Sequence, residues 1–135
     1  MEKQGYGYVV ASVGELGGVV PYTTYFARNS YLTNNNDLIK NFRDAIQKGL
    51  DFVHNSTDEE VAKAIINQFP DTSLKDITNV VKRYRKIEAW PKTTEYKKES
   101  FDHLQEIMEN ANELDKKVSY NKFCWNALHL WTLIL

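Results

Sequence analysis

The first part of the chain contains two short runs of residues that are typical of β-strands. Residues 6–13 are rich in β-branched and aromatic side chains, and three glycines follow them. Residues 19–27 then place aromatic and hydroxyl side chains on alternate faces, with Pro21 near the start of the run. Such runs separated by glycines are typical of paired strands, and proline favours a strand's edge or entry. The pattern predicts a two-stranded β-ribbon over residues 6–27.

Beyond residue 36 the apolar positions recur every three or four residues, which is the period of an amphipathic helix. Four helices are predicted, the first over residues 37–54 and the last over 98–114. The second is expected to start from a capping box of Ser56 and Glu59 and to end at Pro70, and Ser73 is expected to cap the third. The positions predicted to face inward from the last three helices are Val61, Ala64, Ile65, Phe69, Leu74, Ile77, Val80, Val81, Tyr84, Ile87, Phe101, Leu104, Ile107, Met108, Ala111 and Leu114.

Together these elements predict an α+β chain in which an N-terminal two-stranded β-ribbon precedes four main helices. We interpret residues 1–135 as a single partial domain, with a β-ribbon at 6–27, a helical region at 37–114 and an anomalous apolar tail at 123–135. The ribbon is the weak point of this organisation, because an isolated two-stranded ribbon is marginally stable in water and exposes strand edges. Partner strands are therefore expected from elsewhere.

Composition narrows the function classes. The chain has 135 residues, 17 Lys+Arg against 18 Asp+Glu, and one cysteine. This length fits one domain and excludes a multi-domain enzyme. A net charge of -1 gives no long-range electrostatic field that would attract nucleic acid. A single thiol cannot form an internal disulfide. The N-terminus has no basic and apolar leader, so the chain as written is expected in the cytoplasm. The apolar tail is shorter than the roughly 20 residues that a membrane-spanning helix needs.

No sequence motif for catalysis or cofactor binding is found, so we expect neither an enzyme nor a cofactor. CxxC, HExxH, GxSxG and the phosphate-binding P-loop are all missing. Glu99, His103 and Glu106 share a helical face at a spacing that could hold a metal, but a solvated charged face is favoured. His54 lies where a helix ends, and we expect it to interact with the negative end of the helix dipole. The basic residues at 82–86 are interpreted as a solvated face.

Tyr22, Thr23 and Thr24 are the candidate ligand-binding residues. Tyrosine rings and threonine hydroxyls on a strand could line a cleft for a small molecule, because they offer ring faces and hydrogen-bond donors together. The same side chains also fit a half-exposed pleat without any ligand. The sequence leaves both interpretations open.

Several segments in order carry a resemblance to a known family. They are GYGYVVASVGELGGVVPYTTYFA at residues 5–27, RNSYL at 28–32, IQKGL at 46–50, FPDT at 69–72 and EIM at 106–108. In this order the segments resemble the C-terminal part of extracytoplasmic solute-binding proteins of ABC transporters, over about residues 4–121. The nitrate, sulfonate and taurine binders and the binders of thiamine-pyrimidine precursors are the similar groups.

The resemblance implies a two-lobed, periplasmic-binding-protein-like α/β fold of roughly twice this length, with the ribbon providing a strand that crosses between lobes. It places Tyr22, Thr23 and Thr24 in a ligand cleft by their position on that strand. It also implies capture of a small solute outside the cytoplasm and delivery to a membrane permease by hinge closure. The resemblance ends before the apolar tail, and it leaves the N-terminal half of the family unmatched. We therefore hypothesise a truncated or frameshifted product, which leaves open whether the chain binds a ligand on its own.

A second hypothesis does not use the resemblance. An unpaired strand edge accepts a strand from another chain. The chain would then be a stand-alone helical interaction module that forms homo-oligomers by strand exchange.

Overall fold

The computed structural model describes residues 4–21 and 23–123, and it is mostly helical. The helices, in chain order, are α1 (Val13–Leu16), α2 (Asn29–Asn34), α3 (Asn36–Asn55), α4 (Asp58–Ile65), α5 (Leu74–Lys86), α6 (Lys98–Asn110) and α7 (Tyr120–Phe123). A short 3₁₀ turn, Ile66–Gln68, follows α4. The predicted helical region of residues 37–114 is therefore present, although the last helix ends four residues earlier than its pattern indicated.

The predicted β-ribbon is wrong, and the α+β class and the two-lobed α/β architecture are contradicted with it. Across residues 4–21 and 23–123 there is no strand, and Thr23 alone takes part in an isolated bridge. The physical reason is that a segment becomes a strand only where a neighbouring strand pairs with its backbone N–H and C=O groups, whatever the pattern of its side chains. Residues 13–16 close a helical turn instead, with the Leu16 amide donating to the Ser12 carbonyl at 3.1 Å.

The start of α4 is set by a capping box one residue later than predicted. Thr57, not Ser56, is the N-cap: the Glu60 amide donates to Thr57 Oγ1 at 3.3 Å, and the Thr57 amide donates to Glu60 Oε2 at 2.8 Å. These bonds satisfy amide groups that the first turn of a helix leaves without partners. The Thr57 hydroxyl also donates to Glu60 Oε2 at 2.8 Å. The pKa of Glu60 is held below its ordinary value, chiefly by the bond from the Thr57 amide and then by the bond from this hydroxyl.

Helices α4 and α5 enclose the larger of the two buried apolar clusters among the described residues. Ser73 caps α5 as predicted, accepting from the Asp76 amide at 3.2 Å. The buried residues between the two helices are Val61, Ala62, Ile77 and Val81, with Val53, Ile65, Ile66, Leu74 and Trp90 packed around them. Several positions predicted to face inward are exposed instead, namely Ala64, Phe69, Val80, Ile107 and Ala111. The inward stripe is therefore narrower than the apolar pattern.

An aromatic cluster joins α6 to α7. The Phe101 ring lies 5.9 Å from Tyr96, 5.8 Å from Tyr120 and 6.0 Å from Phe123, between ring centroids. The buried amide side chain of Gln105 holds the connecting segment by bonding both the amide and the carbonyl of Val118, at 2.7 and 3.2 Å. The cluster fixes the end of the described chain against α6.

Helices α5 and α6 end in the same reverse turn. After α5 the Glu88 amide donates to Arg85 and the Ala89 amide to Tyr84, and after α6 the Asn112 amide donates to Glu109 and the Glu113 amide to Met108. This pattern is the Schellman motif, whose first residue beyond the cap has a left-handed backbone. That residue is Glu88, with φ of 52°, after α5 and Asn112, with φ of 58°, after α6.

Most of the predicted apolar tail, residues 124–135, lies outside the described residues. Within the described ranges, no helix combines the length and the apolar character needed to cross a membrane.

Candidate functional site

A cavity of about 700 Å³ lies between the N-terminal segment (residues 6–27) and the loop that joins α5 to α6. One wall consists of Gly14, Gly18 and Val19. The other consists of Ile87, Glu88, Trp90, Pro91, Lys92, Thr93, Glu95 and Lys97, and it is completed by His54, Arg85 and Ser100. Its size is within the range of small-molecule sites. We refer to it below as the loop cavity, and to residues 88–97 as the cavity loop.

Side chains of α3 hold the cavity loop by bonding its backbone groups. The Gln47 side chain on α3 donates to the Lys92 carbonyl at 3.0 Å and accepts from the Thr94 amide at 3.1 Å. His54 Nε2 lies 3.0 Å from the Pro91 carbonyl, and because a carbonyl only accepts, this nitrogen carries the proton. The loop is thus fixed to α3, and His54, expected to serve the helix dipole, is bonded to the loop.

Arg85 ties three helices together beside the cavity. Its Nη2 donates to the Val53 and Ser56 carbonyls at the end of α3, and Nη1 lies 2.8 Å from Asp58 Oδ1 at the start of α4. Carbonyls at a helix C-terminus lack partners within the helix, so a guanidinium is well suited to them. The buried Nε has no hydrogen-bond partner among the described atoms.

Trp90 supplies the aromatic surface of the cavity. Its ring centroid lies 5.4 Å from that of Tyr84 in a tilted arrangement, and the side chain also packs on the α4–α5 core. The ring is therefore held by the core while part of it lines the cavity. An indole face accepts planar rings and cations.

The cavity carries charges of both signs. Lys92, Lys97, Glu88 and Glu95 line it, and none of these four side chains forms an ion pair or a hydrogen bond with another described residue. Arg85 differs, because Asp58 neutralises it. Ionic groups without protein partners at a cavity wall are able to bind a charged solute.

Of the sequence-predicted ligand residues, the structure describes Thr23 and Thr24. Thr23 and Thr24 are exposed and are not among the lining residues of the loop cavity, and Tyr22 lies outside the described residues. Their assignment to a ligand cleft therefore stays a prediction.

The spacing of Glu99, His103 and Glu106 does not produce a metal site in the described part of the chain, where no group of three ligating side chains is found. His103 Nδ1 lies 3.9 Å from Glu106 Oε2, and its Nε2 lies 3.0 Å from the Gly17 carbonyl. Gly18, with φ of 72°, lets the chain turn here, and a Cβ on it would lie 3.3 Å from His103 Nε2. His103 thus attaches the N-terminal wall of the cavity to α6.

Sequence reasoning missed the residues that build the site. Gln47 and Arg85 lie on helix faces that the pattern treats as ordinary polar surface, and Glu88 occupies a position where glycine would have signalled a helix end. The available signal was the Trp90–Pro91 pair, which marks the loop but not its charges.

The chain is similar to a Bacillus subtilis (strain 168) protein named "Putative binding protein YtlA", with 37% identity over 121 residues. The match covers 90% of this chain and 36% of the relative, so the chain spans about a third of the relative's length. No family model matches the chain, and no solved structure matches it. The predicted likeness to a binding protein is confirmed at this level. The transporter type and the solute stay predictions.

Proposed function

We propose that this chain is part of a solute-binding protein of an ABC importer, which captures a small solute for a membrane permease. The observation that carries the proposal is the similarity to a binding protein over nine-tenths of the chain. The loop cavity supports it with a site of suitable volume. No chemical step is required, because capture and delivery need only reversible binding.

The lining of the cavity supports two of the solute types implied by the sequence resemblance. Lys92 and Lys97 provide ammonium groups that suit an anion such as a sulfonate or nitrate. The face of Trp90 suits a planar ring such as a pyrimidine. In the proposed importer the intact protein acts outside the cytoplasm.

A thermal-shift titration of the 135-residue chain tests solute capture. Taurine, nitrate and a pyrimidine are each titrated, and we expect a saturable rise in the unfolding midpoint with at least one of them, because a ligand that binds only the folded state stabilises it. Lys92→Ala should weaken the response to an anion. Lys82→Ala removes an exposed lysine of α5 outside the cavity and should leave the response unchanged.

The same titration compares the two candidate sites. If the solute binds in the loop cavity, a Thr23→Ala and Thr24→Ala double variant keeps the response. If the double variant loses the response and Lys92→Ala keeps it, the sequence-predicted residues are the site. If all three solutes leave the wild-type midpoint unchanged, the proposed capture by this chain is wrong.

A second candidate function is that of an interaction module that forms homo-oligomers, although not by the strand exchange predicted above, because the described residues contain no strand. The observation in its favour is the set of large apolar side chains exposed along the N-terminal segment, Tyr6, Tyr8, Val9, Val10, Val13, Leu16, Val19 and Phe26. Large apolar side chains left exposed in number are typical of an association site. Light scattering distinguishes the candidates: this function requires a dimer or larger assembly, and a monomer across a broad concentration range would contradict it.

A further inference from the structure

The C-terminal turns of α5 and α6 have the same backbone geometry, but they carry residues that differ in how well they adopt a left-handed conformation. Both Glu88 and Asn112 have a left-handed backbone at the first position beyond the helix cap. Glycine adopts this conformation without steric cost and asparagine is the side-chain residue that tolerates it best, whereas a long side chain such as glutamate is disfavoured. Asn112 is therefore an ordinary choice for its turn, and Glu88 is not.

The strain at Glu88 has a measurable size. A left-handed backbone disfavours a residue with a Cβ enough to lower the folding equilibrium constant roughly fivefold. The turn itself is required, because the buried Ala89 and the half-buried Trp90 follow it directly and depend on its geometry. Glycine would make the same turn more favourably, so the choice of glutamate needs a reason beyond folding.

Contacts within the protein do not supply that reason. The Glu88 side chain is exposed and forms no ion pair or hydrogen bond with the rest of the described chain. The nearby guanidinium of Arg85 is occupied by Asp58 and by the α3 carbonyls. Glu88 is instead a lining residue of the loop cavity, together with Trp90 two residues later. Residues held in disfavoured backbone conformations concentrate at ligand sites.

We propose that Glu88 is a specificity-determining residue of the loop cavity, whose carboxylate binds a positively charged nitrogen of the solute. This inference rests on the proposed function and extends it by naming a chemical group that the solute carries. A carboxylate accepts charge-assisted hydrogen bonds from an ammonium or amidinium, and the indole face of Trp90 adds attraction for the same charge. Lys92 and Lys97 remain for the other end of the solute.

A pair of ring-bearing probes of similar shape tests the charge preference. Benzylammonium and the neutral benzyl alcohol are titrated calorimetrically into the 135-residue chain, and we expect benzylammonium to bind about tenfold more tightly. Glu88→Gln keeps the side chain and its backbone strain but removes the charge. We expect this variant to lose the preference and to unfold at the wild-type temperature.

Glycine substitutions separate strain from recognition. Glu88→Gly should raise the unfolding midpoint by about 3 °C and abolish the preference for benzylammonium. The matched control Asn112→Gly should change the midpoint less and keep the preference. This opposite movement of stability and binding at one position is what a purely structural glutamate would not produce.

Three outcomes would overturn the inference. They are equal binding of the two probes by the wild-type chain, an unchanged preference in Glu88→Gln, and a midpoint that does not rise in Glu88→Gly. Each is distinguishable from failure of the proposed function, which is measured separately by the solute titration. A wild-type chain that responds to taurine or nitrate but binds both ring probes equally would keep the proposed function and reject the role of Glu88.

Discussion

The N-terminal segment, residues 6–27, and the paired helices α4 and α5 are both rich in apolar side chains, yet they use them in opposite ways. Val10 is 95% exposed, whereas Val81 on α5 is 1% exposed. The helices present their apolar residues at the helical period to a neighbour that does the same, so the two stripes meet. The segment has no sheet among the described residues against which to place either face. Apolar character alone therefore does not determine burial.

The segment is nevertheless attached to the helices at a few points. The Gly17 carbonyl bonds His103 on α6, Gly14 approaches Ile87, and Pro21 is buried. These contacts are mostly polar or backbone contacts, and they leave the large side chains outside. The difference predicts that the helices carry the folding free energy while the segment shapes the cavity.

The largest expected effect comes from truncating the core of the paired helices. Ile77→Ala should lower the free energy of unfolding by about 3 kcal/mol, because it removes buried methyl groups and leaves a void. Val10→Ala in the N-terminal segment is the matched change and should alter it by less than about 0.5 kcal/mol. Urea unfolding followed by circular dichroism measures both. Similar losses in the two variants would break the comparison.

A smaller effect is expected at the link between helices. Arg85→Met should cost about 2 kcal/mol, because it leaves Asp58 without its partner and the α3 carbonyls without their donor, while the aliphatic part of the side chain is retained. Lys82→Met, an exposed position on the same helix, should be nearly neutral. An Arg85→Met variant as stable as the Lys82→Met variant would show that packing alone holds α3 against α5.

Gln47 and Gln105 each hold a loop through two hydrogen bonds to its backbone, and we call them the glutamine clamps. Their removal tests the stability of each loop separately. Gln47→Met and Gln105→Met should each cost about 1 kcal/mol, since each removes two hydrogen bonds to a loop. Amide hydrogen exchange should accelerate at Thr94 in the first variant and at Val118 in the second. Each variant serves as the control for the other, and acceleration at both amides in either one would contradict independent clamps.

The smallest effect concerns acid and the α4 capping box. Because the pKa of Glu60 in the folded chain is lowered, its contribution to stability is complete above its ordinary value of 4.5 and is lost as the pH falls through the lower folded value. Glu60→Gln should therefore flatten the dependence of stability on pH in this acidic range. Glu113→Gln changes an exposed glutamate outside the capping box and should keep the wild-type slope. Identical slopes in all three proteins would exclude a role for the box.

The sequence predicted the helical part of the fold well for reasons visible in single residues. Ser73 and Asp76 form the cap that their spacing indicated, and the apolar rows of α3 to α6 give helices close to their predicted ranges. The capping box was misplaced by one residue because Ser56–Glu59 and Thr57–Glu60 satisfy the same pattern. The strands were wrong because period-two alternation indicates only a tendency to pair, and pairing needs a partner that the pattern does not identify.

The candidate site was beyond sequence reasoning. Its walls come from residues 14–19 and from the cavity loop, more than 65 residues apart, so their proximity depends on long-range contacts such as that between His103 and Gly17. The left-handed backbone of Glu88 gives no signal in the sequence, since glutamate is not typical of that position. The glutamine clamps at Gln47 and Gln105 could not be predicted from the sequence either, because polar residues on a helix are usually solvated.

The way Gln47 holds the cavity loop has a consequence for how readily the site can change. Gln47 bonds the Lys92 carbonyl and the Thr94 amide, which every residue offers at position 92 and every residue except proline offers at position 94. Lys92 lines the cavity, and its side chain takes no part in anchoring the loop. Mutation there would replace the chemistry presented to a ligand while the loop keeps its path. The protein thus contains a ready-made frame for diversifying or redesigning its binding preference.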